Sequence, residues 1–115
     1  MSNKDVFISI TGVQYYFDIK PFDIGSLVRL KKEPSNKYDA ESIQVILPII
    51  GCVGHVANSP RTVARGTISA GKLYDMMGDE CAAEVMFITQ SKIIAKVYLN
   101  KILKENTSTS LEDIK

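Results

Sequence analysis

At 115 residues, with 45% hydrophobic and 23% charged residues, the chain has the size and composition of one globular domain, not of a disordered or fibrous chain. Fourteen basic against 13 acidic residues leave a net charge of +1, so no whole-molecule field draws in a polyanion. Two cysteines and a lone histidine are too few for a disulfide framework or for a structural zinc site of about four ligands, and no apolar run approaches the roughly 20 residues of a membrane span. With no signal-peptide pattern at the N-terminus, free thiols and a cytoplasmic location are expected.

Taken in chain order, Val6 to Ile10 alternates and is β-branched, which predicts a first strand. Gly12 marks a bulge or close approach, after which the strand is expected to resume through Val13-Gln14-Tyr15-Tyr16. Residues 18–25, with Pro21 and Gly25, read as a loop. Leu27 to Lys32 is a second strand, and Pro34, Ser35, Asn36 and Asp39 supply turn formers. Ile43 to Leu47 and Cys52 to Val56 are the third and fourth strands, and strands two to four lie close enough in sequence for an antiparallel meander.

Asn58-Ser59-Pro60 predicts a short helix capped by Ser59 and ending near Gly66. Ser69 caps a second one through Leu73, Tyr74, Met76 and Met77, stopped by Gly78. Ala82 to Thr89 and Ile93 to Leu99 form a hairpin, and residues 103–115 form a polar tail. The expected fold is therefore mainly β (α+β): a six-stranded bent sheet or barrel, with two short helices between strands four and five, occupying residues 1–102.

Charge is unevenly placed. Arg29 to Lys37 holds four cations and one acid, and Asp75 to Glu84 holds four acids and no cation. The loop Pro34-Ser35-Asn36-Lys37-Tyr38-Asp39 sets an aromatic ring, a carboxylate and cations side by side. That mixture suits a nucleotide better than a protein core.

Three segments resemble the HIRAN domain family. They are Gly12-Val13-Gln14-Tyr15-Tyr16, the block from Arg29 through Glu33-Pro34-Ser35-Asn36-Lys37-Tyr38-Asp39 to Ala40-Glu41-Ser42-Ile43-Gln44-Val45, and Val53-Gly54-His55-Val56. The family occurs alone in bacteria and fused to DNA-remodelling helicases. The resemblance, over about residues 6–99, implies an OB-like barrel that binds single-stranded DNA at a free 3′-hydroxyl end, in a DNA-repair setting, with no cofactor.

It places Tyr38 and Asp39 at the terminal nucleotide, Tyr15 of the Tyr15–Tyr16 pair at a stacking position, and His55 beside the backbone. A ring stacks on any base. A carboxylate accepts a hydrogen bond from a sugar hydroxyl and repels a phosphate put in its place. Lys31, Lys32 and Lys37 would add salt-sensitive phosphate contacts. The sequence departs from the family at Gln14, where DNA-binding members carry arginine. It departs again at Val56, Ala57 and Asn58, where they are basic, and at Ile93 and Ile94, where a second stacking aromatic is expected.

Plainer readings compete at each position. One tyrosine of Tyr15–Tyr16 would face the core, since neighbours on a strand point oppositely. Tyr38 would close a barrel mouth, Asp39 would cap its own turn, His55 would be structural, and Met76, Met77 and Met86 would fill the core. Cys52 and His55, three apart on a strand, would face opposite sides, which argues against a thiol–imidazole dyad. No nucleotide-binding loop, GxSxG or HExxH is present, so a non-enzymatic module is expected. The partner is single-stranded nucleic acid, DNA before RNA, with no membrane. The alternative is a protein-interaction or self-associating module on the same barrel.

Overall fold

The computed structural model describes residues 5–90 and 92–103. Six strands run β1 (Val6–Thr11), β2 (Leu27–Lys32), β3 (Ile43–Leu47), β4 (Gly51–Val56), β5 (Glu80–Ile88) and β6 (Ile93–Tyr98). They close into a barrel in the order β1-β4-β3-β2-β5-β6, every neighbour antiparallel. Closure removes the sheet edges that would otherwise pair with other chains. The expected meander of strands two to four and the late hairpin are both present. The expected polar tail lies, from residue 104 onward, outside the described residues.

Alternation decides what points inward. Val28 and Leu30, Ile43, Val45 and Leu47, and Ile93, Ala95 and Val97 are buried at every second position and fill the barrel with Ile8, Ile10 and Val85. The α-helix α1 (Ala70–Met76) packs Ala70 and Leu73 against the end of the barrel where β2 finishes, and Lys32 Nζ donates to the Met77 carbonyl at 3.0 Å. Phe22, also buried, belongs to the loop that leads into β2 at the other end. Met77 is in the core as expected, but Met76 is exposed and Met86 only half-buried, so the methionines are not a common filler.

Among the described residues there is one α-helix, not the expected two. Ser59 begins a turn, accepting from the Arg61 amide at its Oγ and from the Thr62 and Val63 amides at its carbonyl. The turn does not propagate, because its next groups are taken by β1. The Ala64 amide donates to Ser9 Oγ at 3.0 Å, the hydroxyls of Ser9 and Thr67 lie 2.9 Å apart, and the Ile68 amide donates to the Phe7 carbonyl. Gly66, at φ 88°, then reverses the chain. The α1 expectation holds: Ser69 Oγ accepts from the Lys72 amide.

The first strand does not resume after Gly12. Gly12 adopts φ 76°, and Val13–Tyr15 form a single 3-10 turn in which the Tyr15 amide donates to the Gly12 carbonyl and the Tyr16 amide to the Val13 carbonyl. Neither Tyr15 nor Tyr16 is therefore a core residue; both are exposed. Leu30 is fully buried at the barrel centre. Leu30→Ala should cost about 3 kcal/mol of stability, read as a lower urea midpoint with an unchanged slope.

Candidate nucleic-acid interface

Beyond β2 the chain makes a ten-residue excursion, and Glu33 organises it. Its Oε1 accepts from Ser42 Oγ at 2.7 Å and Asn36 Nδ2 at 3.1 Å, and lies 3.3 Å from His55 Nε2. An ionised carboxylate only accepts, so His55 carries its proton on Nε2 here. Partial burial disfavours the Glu33 charge, but the hydrogen bonds from Ser42 and Asn36 together with His55 outweigh it and hold the carboxyl below its usual range. Asn36, fixed by Glu33, turns its Oδ1 to the Tyr38 amide at 2.8 Å and the Asp39 amide at 2.9 Å.

This ladder of bonds presents Tyr38 and Asp39. Tyr38 is 97% exposed, which excludes its use as a plug in the barrel mouth. Asp39 Oδ1 accepts from the Glu41 amide at 2.9 Å, so it does cap its turn, and Oδ2 lies 3.3 Å from Asn58 Nδ2. A carboxylate has about four acceptor positions, so each oxygen retains one for a ligand. Tyr38, Asp39 and His55 line a groove of about 510 Å³ with Asn58, Ser59 and Thr62. Asn58 is held in place at its other end, where its Oδ1 accepts from the Gly71 amide at the start of α1.

A bulge sets the neighbouring surface. Val45 pairs with Gly54 but Ile46 with Cys52, so Val53 is an extra residue in β4. Val53 and Gly54 are consequently both buried, and Cys52 and His55 emerge on the same outer face. The expectation that they point to opposite sides fails for this reason. Tyr16 lies over them: its ring sits 6.1 Å from the His55 ring, tilted by 44°. A hydrogen bond to Cys52, then partial burial, push the Tyr16 hydroxyl up to about 12. Cys52 Sγ itself donates to the Gly54 carbonyl at 3.4 Å.

The eight residues singled out in the sequence are not one cluster. Tyr38, Asp39 and His55 meet in the groove, and Tyr16 abuts it through His55. Tyr15, 80% exposed, stands on the 3-10 turn and does not line the groove. Lys37 is exposed on the groove loop. Lys31 is exposed in a cross-strand row with Gln44 and His55, two strands away, and its partner on β5 is Glu80. Much of the basic segment serves the barrel: Arg29 pairs with Glu80 at 2.9 Å, and Lys32 lies 4.2 Å over the Tyr74 ring. Phe87 points outward beside a β5 irregularity and is exposed. Ser59 and Thr62 were missed as groove residues, because in sequence they read only as a helix start, and Asn58 was noted only as a departure from a basic family position.

The profile of the HIRAN domain matches residues 3–100. The chain belongs to the HIRAN domain family. HIRAN domains are nucleic-acid-binding modules, not catalytic ones. No curated protein matches the chain. A crystal structure of a Lactobacillus plantarum protein, solved by a structural genomics consortium, has a similar fold: TM-score 0.56 and 22% identity, covering 81% of this chain and 92% of that one. Among the described residues no group of three or more histidine, cysteine or acidic side chains is placed to hold a metal ion, and no helix is long and apolar enough to cross a membrane.

Glu33 gives a pH dependence with a definite sign. Its folded-state pKa is depressed below 4.5. The native protein therefore gains stability from its charge above that pH and loses it as pH falls through the depressed value. Glu33→Gln should be less stable than the parent at pH 7, and the gap should narrow between pH 5 and pH 3 when thermal midpoints are compared.

Proposed function

We propose that this HIRAN domain binds single-stranded nucleic acid, DNA before RNA, at a free 3′-hydroxyl end. The observation that carries the reading is a nearly fully exposed Tyr38 ring on the rim of the groove that Asp39 and His55 line. The terminal base stacks on Tyr38. The terminal sugar hydroxyl donates to the remaining acceptor position of an Asp39 oxygen, a charge-assisted bond. A 3′-phosphate in the same place meets a carboxylate and is repelled. Asn58 stands where DNA-binding family members are basic, and with Ser59 and Thr62 it makes an uncharged groove wall, so the site depends more on stacking and hydrogen bonding than on charge. Lys37 supplies a cation to the approaching backbone.

Binding itself needs no chemical step. The side-by-side Cys52 and His55 lie beneath Tyr16, whose ring sits 6.1 Å from the imidazole, and Cys52 Sγ donates to the Gly54 carbonyl. A second reading, self-association of the barrel, is favoured by apolar side chains left in water at the β3–β4 turn, where Ile49 is 90% exposed. It predicts a concentration-dependent mass in light scattering that Ile49→Asp abolishes.

The test of the main reading is fluorescence anisotropy with short oligonucleotides at low salt. Tyr38→Ala should weaken binding by about 1–3 kcal/mol, the worth of one stacked base. Asp39→Asn keeps an oxygen for the Glu41 amide but loses the charge. It should shrink the preference for a 3′-hydroxyl over a 3′-phosphate more than it lowers affinity. No binding by the parent protein at low salt rejects the reading.

A further inference from the structure

A second cleft, also of about 510 Å³, is lined by Gln14, Tyr16, Phe17, Lys20, Pro21 and Ile50. It adjoins the groove through one pair of side chains: Tyr16 lines the cleft and leans on His55, which lines the groove. The two openings lie toward opposite ends of β4, since Ile50 directly precedes Gly51 and His55 is next to the last residue of the strand. Five residues at ~3.3 Å each put the far wall of the cleft, at Ile50, at most about 17 Å from His55. That span holds about five nucleotides stacked at ~3.4 Å, and fewer when the strand is stretched.

The cleft has the makings of a strand-binding surface. Phe17 is 52% exposed and offers a ring face. Lys20 is exposed and has no carboxylate partner among the described residues. Gln14 brings an amide with both donor and acceptor. The acid in the cleft is Asp18, whose Oδ1 is engaged by the Ile19 amide at 3.1 Å.

The opposite wall is held out under strain. Ile49, β-branched, sits at φ 71°, and the Ile50 amide closes a three-residue turn onto the Pro48 carbonyl at 2.6 Å. Strained backbone kept at an exposed apolar tip is a mark of a surface in use.

We infer that the bound strand continues past the groove. Resting on the 3′-end reading above, it runs from Asp39 over the Tyr16–His55 pair and along β4 into the Phe17–Lys20–Ile50 cleft. There an upstream base stacks on Phe17 and its phosphate meets Lys20. The ligand is thus a short single-stranded segment on the order of 4 nucleotides, the low end of what small barrels hold, and not a lone terminal nucleotide.

The experiment is a length series of 3′-hydroxyl oligonucleotides of two, four, six and eight residues, titrated against the whole chain. Affinity should rise from two to about five nucleotides and then level off. Phe17→Ala should weaken the six-residue ligand by roughly fivefold or more, and Lys20→Ala should lower the slope of log affinity against log salt by ~0.7, neither loss being seen with the dinucleotide. Both side chains are exposed, so unchanged thermal midpoints are expected. Equal affinity at all lengths, with Tyr38→Ala still damaging, overturns the extension and leaves the groove reading standing. No binding at any length overturns both. Self-association abolished by Phe17→Ala or Ile49→Asp, without any length dependence, assigns the cleft to a second copy of the chain and also overturns the extension.

Discussion

The carboxylate of Glu33 is the point on which the candidate site depends. It stands just past the end of β2, where the ladder stops and a ten-residue loop must be given one shape. By collecting Ser42, Asn36 and His55 on a single oxygen it joins the two ends of that loop to the outer face of β4. Asn36 then transmits the geometry to the amides of Tyr38 and Asp39. A polar network of this kind is costly when half-made and specific when complete. It leaves the Tyr38 ring with no role inside the fold.

A division of labour among charges follows from the barrel. Pairing β2 with β5 sets the basic run against the acidic run, and Arg29 is spent on Glu80. Lys32 is spent on the Met77 carbonyl and the Tyr74 ring. What looks in sequence like a basic patch is largely a structural seam. Of the cations left facing water, Lys37 lies on the groove loop and Lys20 lines the second cleft. The recognition proposed for this surface rests on ring faces and directed hydrogen bonds, and a net charge of +1 suits it.

Most strands were legible because their signal is local. Val28-Arg29-Leu30 and Ile43-Gln44-Val45-Ile46-Leu47 alternate cleanly, and burial follows that alternation. The loop pair Tyr38–Asp39 was legible because turn formers exclude a core. Three features were not. The turn at Ser59 carries a sound helix-start signal, but Ser9, 50 residues earlier in the chain, takes the amide of Ala64. Tyr15 and Tyr16 continue a β-like pattern, but Gly12 at a left-handed angle ends the strand. Asn58 joined the groove only through its bonds to Asp39 and Gly71.

Residue order alone therefore determined the number and type of the strands, the exposed loop and its chemistry, because periodicity and turn preference act within a few residues. Tertiary structure decided which side chains meet. One unpaired residue, Val53, shifts the phase of β4 so that Cys52 and His55 share a face. That shift exists only relative to β3, and no window of β4 by itself contains it. The same holds for the groove, whose walls come from β4, the Glu33 loop and the segment before α1. They are brought together by barrel closure and by hydrogen bonds across long sequence separations.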